Sequence, residues 1–164
     1  WTAMVLPLRT TPFSLSHTSI GLFGIAGLAG ALAASGAGNL ADRGHANRVT
    51  GLSLLLLSLS WLLVGLLPAS LLLFVVGVVL LDFAIQAVHV TNQSVIFTAR
   101  PDASSRLVGG YMVFYSTGSA VGAISSTTAY AQFGWTGVSM LGAAFSLSAV
   151  LFWISSRVMR QHNI

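Results

Sequence analysis

The chain has no cysteine, no lysine and no glutamate, and its only acids are Asp42, Asp82 and Asp102. Without cysteine there are no disulfides, no thiolate metal sites and no Cys nucleophile, and the redox compartment is left open. Charged residues of any kind make up 6% of the chain, against about 25% in a typical soluble domain. Such a surface would not stay dissolved. Seven arginines against three aspartates give a net charge of +4 and a pI near 10.8, a balance that in a soluble protein would suggest nucleic acid. Here the arginines sit in the gaps between apolar runs, with no basic face interleaved with aromatics, so nucleic acid is not expected as a partner. His17, His45 and His162 are too scattered for a metal site, and no motif calls for a cofactor.

What the chain does have is apolar sequence, 55% of its 164 residues. The runs are long enough to cross a lipid bilayer at about 1.5 Å per helical residue, and they predict an all-α membrane protein forming one transmembrane domain over residues 1–164. Residues 1–8 read as the last two turns of a span that begins upstream, ended by Pro7; they are too short to cross and lack the basic start of a secretory signal. Five full spans follow, at about 20–40, 49–67, 70–97, 107–130 and 135–156. The first is rich in small residues (Gly24, Gly27, Ala31, Ala34, Gly38), which let helix backbones approach closely in lipid. The second and fifth are apolar nearly all round and are expected on the lipid side.

The polar connections also carry signals. The cluster from Asp42 to Arg48 separates the first two spans, and Pro68 makes the next return. Arg100, Pro101, Asp102, Ser104 and Arg106 close the third span, with Asp102 or Ser104 as N-cap of the fourth. If alternate loops share a side, Arg43, Arg48, Arg100, Arg106, Arg157 and Arg160 lie together and only Arg9 lies opposite. That bias sets the arginine-rich loops and the C-terminus in the cytoplasm. Trp61, Tyr130 and Trp135 then fall toward the outer interface and Trp153 toward the inner one.

The third span holds groups that need a reason to be there. On a helix turning roughly 100° per residue, Asp82, Gln86, His89 and Gln93 fall within roughly 60° of one another, with Asn92 on the flank. An ionisable group at bilayer depth costs at least about 2.5 kcal/mol, so it faces a bundle interior or a wet cavity rather than lipid. The stripe therefore reads as the lining of a pathway. Asp82 is either a carboxylate that takes up a proton or pairs with a cationic substrate, or a structural group satisfied by a neighbouring helix. His89 suits proton coupling or plain packing. On the fourth span Tyr111 and Tyr115 share a face with Gly118 and Gly122. The tyrosines read as substrate-stacking or as packing side chains, the glycines as helix-packing positions, and Ser125 to Thr128 make the far end polar.

In this order the residues resemble the C-terminal half of a major facilitator superfamily transporter of the bacterial drug or metabolite efflux type. The loop from Gly38 through Asp42 and Arg43 to Arg48 is similar to that family's signature G-x-x-x-D-[RK]-x-G-[RK]-[RK], with His45 and Ala46 standing at its later Gly and basic positions. The run Asp82, Gln86, Asn92, Gln93, then Arg100 to Leu107, Tyr111-Met112, Gly118-x-x-x-Gly122 and Gly134-Trp135 is similar to the tenth and eleventh helices of one subgroup of these exporters. The resemblance implies half of a twelve-helix bundle, in which two six-helix halves rock about a central site and no bond is broken. It implies a missing N-terminal half as partner, a small organic substrate, with or without H+, and a place in the bacterial inner membrane. Gly38, Asp42, Arg43, Arg48 and Arg100 would form a cytoplasmic gate, with Asp42 fastening the loop to Arg100 or to a helix N-terminus. A second reading is a membrane scaffold or assembly subunit that transports nothing. An intramembrane enzyme is disfavoured, because Asp82 and His89 sit nearly two turns apart and nothing completes a catalytic set.

Overall fold

The computed structural model describes residues 2–162, with the backbone alone at residues 26, 29, 33 and 160–162. Trp1 and the side chains of Arg160 and His162, each considered above, lie outside the described residues. The chain is helical almost throughout. Thr2–Met4 is a short 3-10 turn leading into α1 (Val5–Arg9); α2 (His17–Gly21) follows a loop and runs through a 3-10 turn into α3 (Ala26–Leu40). After the five-residue π-helical turn Ala41–His45 come α4 (Ala46–Gly65), α5 (Leu71–Ala99), a 3-10 turn and α6 (Ser104–His162).

Among the described residues, three continuous helical stretches are long and apolar enough to cross a membrane: 17–65, 71–99 and 101–159. Gly44 (φ 84°) breaks the first and Gly134 (φ 62°) the last. Both glycines hold a left-handed backbone that other residues rarely adopt, and at each the chain reverses. The result is five crossings, which are 17–43, α4, α5 and the two limbs of α6, 104–133 and 135–162. The polar stretch from Asp42 to Arg48, expected as a loop, is instead a π turn running straight into α4. Pro7, expected to end the first segment, lies within the first turn of α1, where a missing N–H costs little.

Cross-helix contacts fix the directions. Gly27 lies against Asp82, Gly38 against Val90, and Asp42 bonds Ser94, so α3 runs parallel to α5. Gly77 lies against Val64, and Val49 clusters with Ala87, so α4 runs antiparallel to α5. The second limb of α6 runs antiparallel to α4, with Trp153 against Gly51 and Trp61 against Gly142. Hence α4 is only half lipid-facing. Leu52, Leu59 and Leu62 are exposed, while Gly51, Leu54, Ser60 and Val64 are buried in helix contacts.

The two ends of the bundle are closed differently. At the end away from the arginine-bearing turns, Leu8, Ile20, Val64, Leu67, Phe74 and Val78 form the main core. Phe74 stacks edge-on against Trp135 (5.6 Å), whose indole N–H donates to the Val64 carbonyl at 2.8 Å. Among the described residues the other end has the small cluster Ala37, Val49 and Ala87. A Cβ on Gly77 would stand 2.8 Å from the Val64 backbone nitrogen, whereas one on Gly118 would meet nothing within 4 Å. Gly77→Ala should therefore lower stability in detergent by about 1–3 kcal/mol, and Gly118→Ala should stay within about 0.5 kcal/mol of the parent, both read by thermal unfolding of the purified chain.

Candidate functional site

The apolar length of α5 makes it cross the bilayer, and the periodicity of its polar residues gives it one wet edge. The structure sets that edge along a seam between α3 on one side and the first limb of α6 on the other. Asp82 is 7% exposed. Its carboxylate faces the glycines of α3, with Oδ2 3.1 Å from where a Gly30 Cβ would stand and 3.8 Å from the same point at Gly27. One turn on, the Gln86 side chain lies across Gly30, with Cγ 2.8 Å from that point. The missing side chains of α3 make room for the carboxyl and amide groups on α5. Gly27 was legible as a close-approach position; Gly30, one turn on, was not singled out.

Farther along, the stripe turns to the first limb of α6. His89 Nδ1 lies 2.9 Å from the Tyr111 hydroxyl, and its Nε2 lies 3.1 Å from the Gln93 amide nitrogen. An amide nitrogen only donates, so Nε2 accepts and Nδ1–H donates to Tyr111. The Tyr115 ring packs 4.7 Å from the imidazole and the Tyr111 ring 5.4 Å. His89, Gln93 and Tyr111 are half-buried, while Tyr115 is 43% exposed. Four residues from two helices thus form one hydrogen-bonded aromatic cluster. Protonation at Nε2 would set two donors face to face, a conflict relieved only if the Gln93 amide turns over to present its oxygen.

Beside the stripe is a cavity of about 380 Å³. Its α5 wall is Val78, Leu81 and Ile85, and Ser119, Gly122 and Ser126 line it from the first limb of α6. The hydroxyls of Ser125, Ser126, Thr127 and Thr128 each donate to a carbonyl of their own helix, at 2.7 to 3.0 Å. That polar run is therefore satisfied locally and tolerable in lipid. Gly122 is on the cavity wall, and Gly118 is exposed on the same helix; among the described residues nothing lies within 4 Å of a Cβ placed on either. Among the described residues the closest glycine contacts are instead at Gly30, Gly51, Gly77, Gly137 and Gly142.

The expected gate residues separate into two sets. Asp42 accepts a 2.6 Å hydrogen bond from the Ser94 hydroxyl, not the expected bond from Arg100. Arg100 reaches only two residues along the chain, donating from Nε and an Nη to the two oxygens of Asp102 at 3.3 and 3.2 Å. That pairing also replaces the N-capping expected of Asp102, and the Ser104 hydroxyl donates to the Pro101 carbonyl instead. The short two-residue reach explains the correction, because Asp102 meets the guanidinium before the more distant Asp42. The Arg100 guanidinium holds the Asp102 carboxyl below the usual carboxylate range, so this exposed pair persists above the ordinary carboxylate pKa and is lost as pH falls through the lowered one. Arg43 and Arg48 are exposed, and Gly38 takes the Val90 side chain at 3.3 Å from its Cβ position. Among the described residues no group of three His or Asp could hold a metal ion.

Comparison with known proteins gives a consistent picture. The sequence profile of the Major Facilitator Superfamily matches residues 1–163. A putative uncharacterized transporter of Escherichia coli strain K12, YgaY, is 45% identical over 153 residues, covering 93% of this chain and 39% of the relative. A probable transporter of Streptomyces coelicolor, SCO4007, is 30% identical over 159 residues, covering 96% of this chain and 36% of that protein. The chain thus spans less than two fifths of the length of the curated relatives it matches. No solved structure matches it. The geometry makes its own prediction. Nitrogen-15 spectra of imidazole-labelled protein should show His89 as the neutral Nδ1–H tautomer, and Tyr111→Phe should shift the population toward Nε2–H; an Nε2–H signal in the parent would contradict the assigned bonding.

Proposed function

The chain belongs to the major facilitator superfamily, and from that premise we propose that its five crossings work as part of the C-terminal half of a secondary transporter that exports small organic molecules by alternating access. Membership makes it an integral membrane protein and part of a transporter. The export direction, the substrate class and the pathway residues are our reading. The observation that carries it is the α5 stripe, where a buried carboxyl, two amides and an imidazole follow one another along a seam that α3 and the first limb of α6 cover only in part. Ionisable groups within membrane helices are costly, and by default they mark substrate or ion pathways.

The N-terminal six-helix half closes the far side of this seam, and the substrate lies between the halves. The polar stripe next to a 380 Å³ apolar cavity suits a molecule with a polar head and an apolar body. Asp82 and the His89 cluster give two stations for a proton, with Gln93 turning over as His89 charges. Asp42 and Ser94 fasten the end of α3 to α5; on our reading, which the arginine bias supports, this end and the C-terminus lie on the cytoplasmic side of a bacterial inner membrane. The reading involves no bond-breaking chemistry and no cofactor.

The test is efflux from cells expressing the full coding sequence, measured over a broad panel of labelled small organic molecules. Asp82→Asn should cut efflux of transported members at least about tenfold, the scale on which a lost charge pair or proton site acts, with protein level in the membrane unchanged. Equal efflux by parent and variant across the panel would remove Asp82 from the mechanism.

A further inference from the structure

A second cavity, of about 310 Å³, opens between α4, α5 and the second limb of α6 at the arginine-bearing end of the bundle. It shares with the stripe only the flanking Asn92, whose side chain also hydrogen-bonds Tyr111. Its walls include Asn47 and Thr50 from the first turns of α4, Asn92 from α5, and Trp153, Ser156 and Arg157 from the second limb. Among the described residues no carboxylate lines it. The Arg157 guanidinium lies 5.1 Å over the Trp153 ring, which fixes the cation at the cavity wall instead of leaving it to swing in solvent. The Trp153 indole N–H is buried without a hydrogen-bond partner, an unmet donor that costs about 1–3 kcal/mol. No side chain caps the start of α4, so the positive end of a 20-residue helix dipole adds to the same region.

We propose that this cavity binds the phosphodiester headgroup of an anionic phospholipid from the leaflet at the arginine-bearing end. A fixed cation, two carboxamides and a hydroxyl are groups that bind phosphate oxygens, and among the described residues no acid lines the cavity to repel an anion. The location selects the source. The cavity lies between membrane-crossing helices, and Asn92 is seven residues before the end of α5 at Ala99, roughly 10 Å below the helix end. That is headgroup and upper acyl depth. Leu151, Phe152 and Ile154 around Trp153 are exposed and offer acyl chains an apolar wall. The bound lipid would tie α4, α5 and the last limb together where the protein's own core is thin. The inference needs the chain to cross a membrane and nothing of the transport mechanism.

The test is native mass spectrometry of the purified chain released from detergent and titrated with dioctanoylphosphatidylglycerol, with dioctanoylglycerol and inorganic phosphate as separate arms. The parent should retain one phosphatidylglycerol. Arg157→Gln should bind it about tenfold more weakly, Trp153→Phe should also weaken it while keeping the ring, and Arg9→Gln at the opposite end should match the parent. Equal retention by Arg157→Gln and the parent would overturn the proposal, as would dioctanoylglycerol binding as tightly as phosphatidylglycerol. Inorganic phosphate competing at equal concentration would make the cavity a site for a free anion and overturn the lipid assignment. Because Arg157 is exposed and contributes only its stacking on Trp153 to the fold, that variant is expected to fold.

Discussion

One constraint organises the bundle: α5 carries a carboxyl and an imidazole through the hydrocarbon and must keep both off the lipid. Its polar edge therefore cannot face outward, and the helices beside it are shaped by what that edge needs. Glycines 27 and 30 on α3 leave room for Asp82 and Gln86. Tyr111 and Tyr115 on the first limb of α6 take up His89 by hydrogen bond and ring contact. The opposite edge of α5 needs only shape, and α4 provides it through the tight approach of Gly77 to Val64.

The same constraint accounts for the unequal ends. At the end that bears only Arg9, aromatic and large aliphatic side chains lock α1, α2, α4, α5 and Trp135 into one core. At the arginine-bearing end three small residues and the Asp42–Ser94 bond hold α3, α4 and α5 together. Fewer buried apolar contacts mean a lower local opening energy. In the proposed cycle this is the end suited to parting.

The all-helical membrane fold was legible because bilayer thickness sets span length directly, and apolar runs of that length have few other uses. The stripe was legible because the 100° helical step places Asp82, Gln86, His89 and Gln93 on one edge whatever surrounds them. Partners were harder, since they depend on which helices meet. Asp42 pairs with Ser94, 52 residues away, and no local pattern names that serine. Gly51 and Gly142 matter because Trp153 and Trp61 lie against them, while Gly118 and Gly122, which have the familiar spacing, have no described atom within 4 Å of their Cβ positions. The tryptophans drew attention as interface anchors, yet Trp61, Trp135 and Trp153 pack between helices. The turns at Gly44 and Gly134 were expected as connections; only backbone geometry could show that helix continues to within a residue or two of each reversal.

The central claim, that the polar edge of α5 faces a water-filled passage, is open to a direct test because the chain has no cysteine of its own. Single substitutions Gln86→Cys, His89→Cys and Tyr115→Cys, with Leu59→Cys and Phe152→Cys as lipid-facing controls, would be treated in membranes with a charged, water-soluble maleimide. The account predicts rapid labelling at the three pathway positions and little at the two controls. Pathway positions that react no faster than Leu59→Cys and Phe152→Cys would contradict it.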